Sequence, residues 1–137
     1  MSMADFNTQV INEFRENGGR VGGMFEGMPM LLLHHVGAKS GAARVTPLAY
    51  LEDDGRYAIF GSKGGAPENP AWYHNVLAHP DTTIEIGEQT IEVTAHEAHG
   101  EERDRIYAAQ AARLPQFADY EKKTTRKIPV VVLTPKG

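Results

Sequence analysis

Six short runs rich in β-branched and aromatic residues, each closed off by Gly, Asp or Pro, constrain this chain more than any other feature: Met30 to Val36, Ala43 to Leu51, Arg56 to Gly61, Thr82 to Ile86, Thr90 to His96 and Ile128 to Thr134. Runs of that length are strands, and the residues between them dictate how they pair. Asp53-Asp54-Gly55 and Gly87-Glu88 are turn sequences for antiparallel neighbours, and Ile84, Ile86, Ile91 and Val93 alternate about the second turn, so two hairpins are expected. About six mostly antiparallel strands leave exposed edges unless the sheet closes on itself. The fold expected is therefore mainly β with helices in the connections, a closed or nearly closed small barrel. A doubly wound sheet would need more alternation of strand and helix. Pro47 cannot donate to a ladder, which places its strand at an edge or a bulge.

Three segments read as helices. Asp5 to Glu16 puts Phe6, Val10, Ile11 and Phe14 on one face, with Asp5 as its N-cap. Gly18, Gly19, Gly22 and Gly23 follow, a flexible connector that would leave this N-terminal helix mobile. Asn69 can cap a helix whose first residue is Pro70 and which ends near His79, because Pro80 cannot continue it. Glu101 to Arg113 is helical by composition and by its Ile106, Ala109, Ala112 spacing. At 137 residues the chain is expected to form one domain around one core, so any site shares that core.

Several chemistries are excluded. There is no cysteine, hence no disulfide scaffold, thiolate metal site or thiol nucleophile. The six histidines show no metal-ligand spacing: His34 and His35 point to opposite faces of a strand, His74 and His79 are five apart, and no HExxH occurs, so no metal is expected and all six read as structural or surface residues. No G-x-S-x-G elbow is present, which disfavours hydrolysis. The net charge of -4 argues against nucleic acid. The longest apolar run, Met28 to Leu33, is too short to cross a bilayer, and no charged leader precedes it. A cytoplasmic location is expected, with the Phe6 to Phe14 face as the one feature that could touch a membrane.

Two loops carry the interest. Gly37-Ala38-Lys39-Ser40-Gly41-Ala42-Ala43-Arg44 joins small residues, a hydroxyl and two cations between strands, a composition that can turn backbone N–H groups and cations toward one anion, or simply serve as an exposed connection. A P-loop it is not, because Ala38 precedes Lys39 and a strand follows. Alternation puts Arg44, Thr46, Leu48 and Tyr50 on one face of that strand, the side on which a ligand is expected. The second loop, Gly61-Ser62-Lys63-Gly64-Gly65-Ala66, leads to the helix at Pro70, whose N-terminus beside a lysine is a further anion site. Within that helix Trp72, Tyr73 and Asn75 could line a planar ring, although Trp72 reads more simply as a core anchor.

Taken in order, Gly37-x-Lys39-Ser40-Gly41-x-x-Arg44-x-x-Pro47-Leu48, Ser62-Lys63-Gly64-Gly65-Ala66, Pro70-x-Trp72-Tyr73-x-Asn75 and a closing Ala118-Asp119-Tyr120, Thr124-x-Arg126-x-Ile128-Pro129-Val130-Val131-Val132-Leu133-x-Pro135 resemble the deazaflavin-dependent nitroreductase family. The resemblance implies a split β-barrel like those of FMN-binding proteins, and coenzyme F420, a deazaflavin whose tail carries a phosphodiester and several glutamates. By that resemblance Lys39, Ser40, Arg44 and Lys63 hold the tail, Val45, Thr46, Pro47 and Leu48 with Phe60, Gly61 and Ser62 border the ring, and Ala71, Trp72, Tyr73 and Asn75 close the other side. Tyr120 matches a tyrosine near the substrate and is the candidate catalytic residue. Ala38 stands where arginine is frequent, and Ala49, Leu114 and Phe117 stand where the namesake enzymes carry tyrosines, which argues against nitroimidazole reduction and for a flatter, more apolar acceptor; the electron-poor acceptors implied are an activated alkene or enone, a quinone or a nitro compound. The protein would act as monomer or homodimer. The rival readings are a non-catalytic carrier of F420 or a related flavin, and an FMN-dependent enzyme on the same barrel.

Overall fold

The computed structural model describes residues 3–23 and 27–136. Its strands are β1 (Met30–Val36), β2 (Ala43–Asp53), β3 (Arg56–Phe60), β4 (Asp81–Ile86), β5 (Gln89–Ala98) and β6 (Val130–Pro135), and its helices are α1 (Met3–Glu16), α2 (Ala71–Ala78), α3 (Gly100–Arg113) and α4 (Gln116–Lys123). The strands close into a barrel in the order β1-β2-β3-β6-β5-β4, every neighbouring pair antiparallel. Both expected hairpins form. Asp53 pairs with Arg56 across Asp54 and Gly55, whose φ values of 53° and 81° are the left-handed pair that a two-residue type I′ turn requires.

Period-two alternation sorts the strand residues into an inner and an outer set. Leu31, Leu33, Ile59, Ile84, Val93, Val131 and Leu133 point inward, and Trp72 and Val76 of α2 plug one end. Each fully buried Leu or Ile contributes roughly 1.5–3 kcal/mol by leaving water. The outer set is covered by helices. Met30 and Leu32 receive Val10 and Phe14 of α1, the apolar face the sequence marks, and Arg15 adds a two-point hydrogen bond to Glu85 on β4 at 3.1 and 2.7 Å. Leu51, Ala58, Phe60, Val130 and Val132 receive Ile106 and Tyr107 of α3 and Phe117 of α4.

Four sequence expectations need correction. α1 begins at Met3, so Asp5 lies within the helix rather than capping it. α2 begins at Ala71 after a Pro70 N-cap, and Asn69 instead accepts from Arg126 Nη1 at 2.6 Å. The inward stripe of α3 is Arg103, Ile106, Tyr107 and Gln110, while Ala109 and Ala112 face outward. Two polar members hid that stripe from an apolar-periodicity reading, and Arg103 sits inside because its guanidinium donates twice to the Ile128 carbonyl, at 3.1 and 2.8 Å. α4 is a fourth helix that the apolar spacing did not announce.

β2 shows why Pro47 is tolerated. Residues 43–49 pair with β1, whereas pairing with β3 starts only at Tyr50. The outer edge of the first half of β2 has no strand partner in that ladder, so the missing N–H of Pro47 costs no hydrogen bond there. The β2–β3 ladder is therefore open along residues 43–49, although the barrel as a whole closes.

Candidate functional site

An apolar slot of ≈ 170 Å³ opens between β2, the end of β3 and α4, with Pro47, Ala49, Phe60, Phe117 and Tyr120 among its walls and Met28 and Met30 at its α1 side. Leu48, Ser62 and Gln116 complete it. The two residues that replace tyrosines, Ala49 and Phe117, both line it, so the slot is wider and less polar than phenols would leave it. Leu114, the third, packs beside the α3–α4 cluster instead. Tyr120 is half-buried, its ring edge-on to Phe117 at 5.2 Å with Lys123 Nζ 5.9 Å above it.

Arg44 sits three residues before Pro47, about 10 Å along the same strand. A wider groove of ≈ 600 Å³ opens at that end, lined by Gly37, Ala38, Lys39, Ser40, Arg44, Ala71, His74 and Asn75. Its lining holds two permanent cations and no carboxylate.

The groove is shaped by a buried polar chain. Asn75, 7% exposed, accepts the Ala38 N–H at Oδ1 (2.9 Å), which fixes the amide's orientation and aims Nδ2 at His35 Nδ1, also at 2.9 Å. Nδ1 must then be the acceptor, so His35 carries its proton on Nε2 and donates to Thr46 Oγ1 at 2.8 Å. Burial first, then the nearby charge of Arg44, pushes the His35 pKa down to about 4. A neutral imidazole is what the chain of bonds demands, because a second ring proton would face the Asn75 amide hydrogens. This chain ties α2 to the β1–β2 loop and fixes the angle at which Lys39 and Ser40 are held.

Much of the loop's backbone is already engaged. The Gly37, Ala38, Gly41 and Ala42 N–H groups are bonded to Ala42 O, Asn75 Oδ1, Gly37 O and Ser40 Oγ. Those four N–H groups are taken up within the loop and by Asn75, while Lys39, Ser40 and Arg44 are exposed around the groove.

The second loop behaves differently. Lys63 is not among the groove residues, and its ammonium pairs with Glu68 at 2.8 Å. A single side chain organises the segment: Arg126 donates to the carbonyls of Ala66 (3.0 Å), Gly61 (3.0 Å) and Ser62 (3.0 Å) and to Asn69. Gly61 is required where it stands, because a Cβ there would lie 2.7 Å from Pro129 Cγ. Arg126 was visible in the closing motif, but nothing in its spacing revealed that it reaches back some sixty residues.

The other sequence candidates divide in the same way. Trp72 is 5% exposed and belongs to the barrel interior, and Tyr73 turns to Glu97, donating at 2.8 Å, so neither lines the slot or the groove. The Glu97 hydrogen bond and burial raise the Tyr73 pKa to about 12, with burial the larger cause. Thr46 points to His35, and Val45 packs toward α1. Arg44 therefore lines the groove at the barrel lip, whereas the slot is lined from both faces of β2, by Leu48 on the face of Arg44 and by Pro47 and Ala49 on the other.

The chain is thus a small antiparallel barrel with an apolar slot at one end of β2 and a cationic groove at the other. Residues 7–135 match the family model described as F420H(2)-dependent quinone reductase, and the chain belongs to that family. Its coenzyme is F420, which the donor set fits: apolar walls for a deazaflavin ring, and lysine, arginine and hydroxyl groups for phosphodiester and carboxylates. An F420H(2)-dependent quinone reductase of Mycobacterium tuberculosis is 40% identical over 125 residues, 88% of this chain and 84% of that protein. Among solved structures, an F420-H2 dependent reductase is 40% identical with a TM-score of 0.70, covering 77% of this chain and 93% of the other. Another, described as a domain-swapped dimer, is 36% identical with a TM-score of 0.72, covering 96% and 99%. No helix among the described residues is long and apolar enough to cross a membrane.

Proposed function

We propose that this protein reduces quinones and similarly flat, electron-poor acceptors with the hydride of reduced F420, holding the ring in the slot and the tail along Lys39, Ser40 and Arg44. The observation that carries the reading is the pairing, along one strand, of an apolar slot with an acid-free cationic groove. When bound, the reduced coenzyme supplies the hydride, which is why no acid–base dyad is needed to start the reaction. Pro47, Ala49, Phe60 and Phe117 give the ring apolar walls that exclude water. Tyr120, on the slot wall, holds a proton on its hydroxyl where the acceptor oxygen gains charge. Ala71 and Asn75 form the far wall of the groove, and Asn75 also sets the loop that carries Lys39. One or two copies of the chain form the working unit, as the relative solved as a domain-swapped dimer suggests.

The test is a fluorescence titration with F420, FMN and FAD, followed by rapid mixing of the reduced complex with menadione. The expected result is selective F420 binding and oxidation of the bound coenzyme within the first turnover. Protection of the reduced coenzyme from menadione would show a carrier instead, and preference for FMN would remove F420 from the reading. Tyr120→Phe is expected to lower kcat about 100-fold with the F420 dissociation constant unchanged. Unchanged turnover in that variant would reduce Tyr120 to a wall of the slot.

A further inference from the structure

Lys39 and Arg44 are not the only basic groups in the groove. His74 lines it from α2. The helix explains its presence: Trp72, Asn75 and Val76 are the buried members of α2, so Ala71 and His74, one turn apart, fall on the face turned to the β1–β2 loop. The imidazole is exposed, with the Tyr73 ring edge-on at 5.1 Å.

Imidazole is the side chain whose charge ordinarily changes within the physiological range, and a multiply charged anion nearby favours its protonated form. The titratable and charged groups around His74 are few. Lys39 comes from the β1–β2 loop and Arg44 from β2, and both stay charged across the neutral range. His35 of β1 lies behind Asn75, buried and bonded on both ring nitrogens, and its pKa of about 4 keeps it out of the window. Tyr73 of α2 is engaged with Glu97 of β5.

We infer that His74 is a proton-coupled anchor for the anionic tail of F420, gripping it when charged and releasing part of that grip when neutral. The inference rests on the F420 reading of the groove and adds a regulation to it. Coenzyme binding draws up to one proton onto His74, so affinity rises as pH falls through the imidazole range while the tail's phosphodiester and carboxylates remain ionised. His74 is a binding and positioning residue, with no part in moving the hydride.

The experiment measures F420 dissociation constants by fluorescence at pH 5.5, 6.5, 7.5 and 8.5 for the wild type, His74→Gln and Lys39→Ala. Because the deazaflavin ring titrates too, the quantity read at each pH is the ratio of variant to wild type. For His74→Gln the ratio is expected to be about tenfold at pH 5.5 and to shrink to within about twofold at pH 8.5, the scale of one charge-assisted hydrogen bond. For Lys39→Ala it should stay constant across the series. At pH 7 the His74 ring resonances should move toward the imidazolium position when F420 is added to the wild type. A His74→Gln ratio that does not change with pH, with F420 still bound tightly, overturns this inference and leaves the coenzyme assignment intact. Failure of the wild type to bind F420 at any pH overturns both.

Discussion

The loops at residues 37–44 and 61–66 read almost alike, each with glycines, a serine and a lysine at a strand end, yet the fold gives them different work. In the first, the backbone is tied down from inside by Asn75 and by its own carbonyls, and the cations are left facing a groove. In the second, the backbone carbonyls are gathered by Arg126, and the lysine is neutralised by Glu68. A lysine in a glycine-rich loop thus faces an open groove or is paired off by a carboxylate, as its surroundings dictate. The loop at 37–44 lines the groove and is braced by a polar core, and the loop at 61–66 lends Ser62 to the slot and is braced by one guanidinium.

The sharpest break in that contrast comes from removing the brace of the second loop. Arg126→Ala removes a donor from three carbonyls, of which Ser62 O keeps the Gly65 N–H, and should cost roughly 3 kcal/mol, lowering the melting temperature by about 10 °C. Urea unfolding checks it, and a loss under 1 kcal/mol would mean the loop holds itself. Next in size is the brace of the first loop. His35 is held neutral at about 4, below its unfolded value near 6.5, so between those two pH values the unfolded chain binds a proton that the native one refuses. Stability should therefore fall as pH drops from about 6.5 to about 4, by at most about 3 kcal/mol, and the Asp53 carboxyl, lowered to about 2 chiefly by its Arg105 hydrogen bond, adds its own loss only below that window. Urea midpoints across the window should slope for the wild type and flatten for His35→Gln. Smaller still, Lys39→Ala or Arg44→Ala should each weaken F420 about tenfold without changing stability, whereas Lys63→Ala should stay within about twofold, since an exposed ion pair is worth little. Equal effects at Lys39 and Lys63 would erase the distinction between the loops.

Much of this was legible in the sequence, for local reasons. Turn residues fixed both hairpins, period-two alternation fixed the inner faces of β4 and β5, and Pro47 marked the open edge at which the slot forms. What could not be read was non-local. Apolar spacing cannot show that Arg103 and Gln110 belong to the inward stripe of α3, nor that Arg126 holds residues 61–69: Arg103 and Arg126 meet carbonyls brought close only by closure of the barrel, and the Gln110 amide is buried without a hydrogen-bond partner among the described residues. Alternation placed Arg44, Thr46, Leu48 and Tyr50 on one face, yet the slot draws on both faces of β2, Leu48 from that one and Pro47 and Ala49 from the other. His74 was passed over because it lacks a metal partner, although its helical phase relative to Trp72 and Val76 already aimed it at the loop.

The most direct test is to titrate the wild type and the Lys39→Ala/Arg44→Ala double variant with F420 and, in parallel, with the deazaflavin ring system stripped of its anionic tail. If the slot takes the ring and the groove takes the tail, the double variant should bind F420 about 100-fold more weakly and the tail-less ring as well as the wild type does. Equal F420 affinity in the two proteins, or parallel loss of both ligands, would contradict the division of the site on which the account stands.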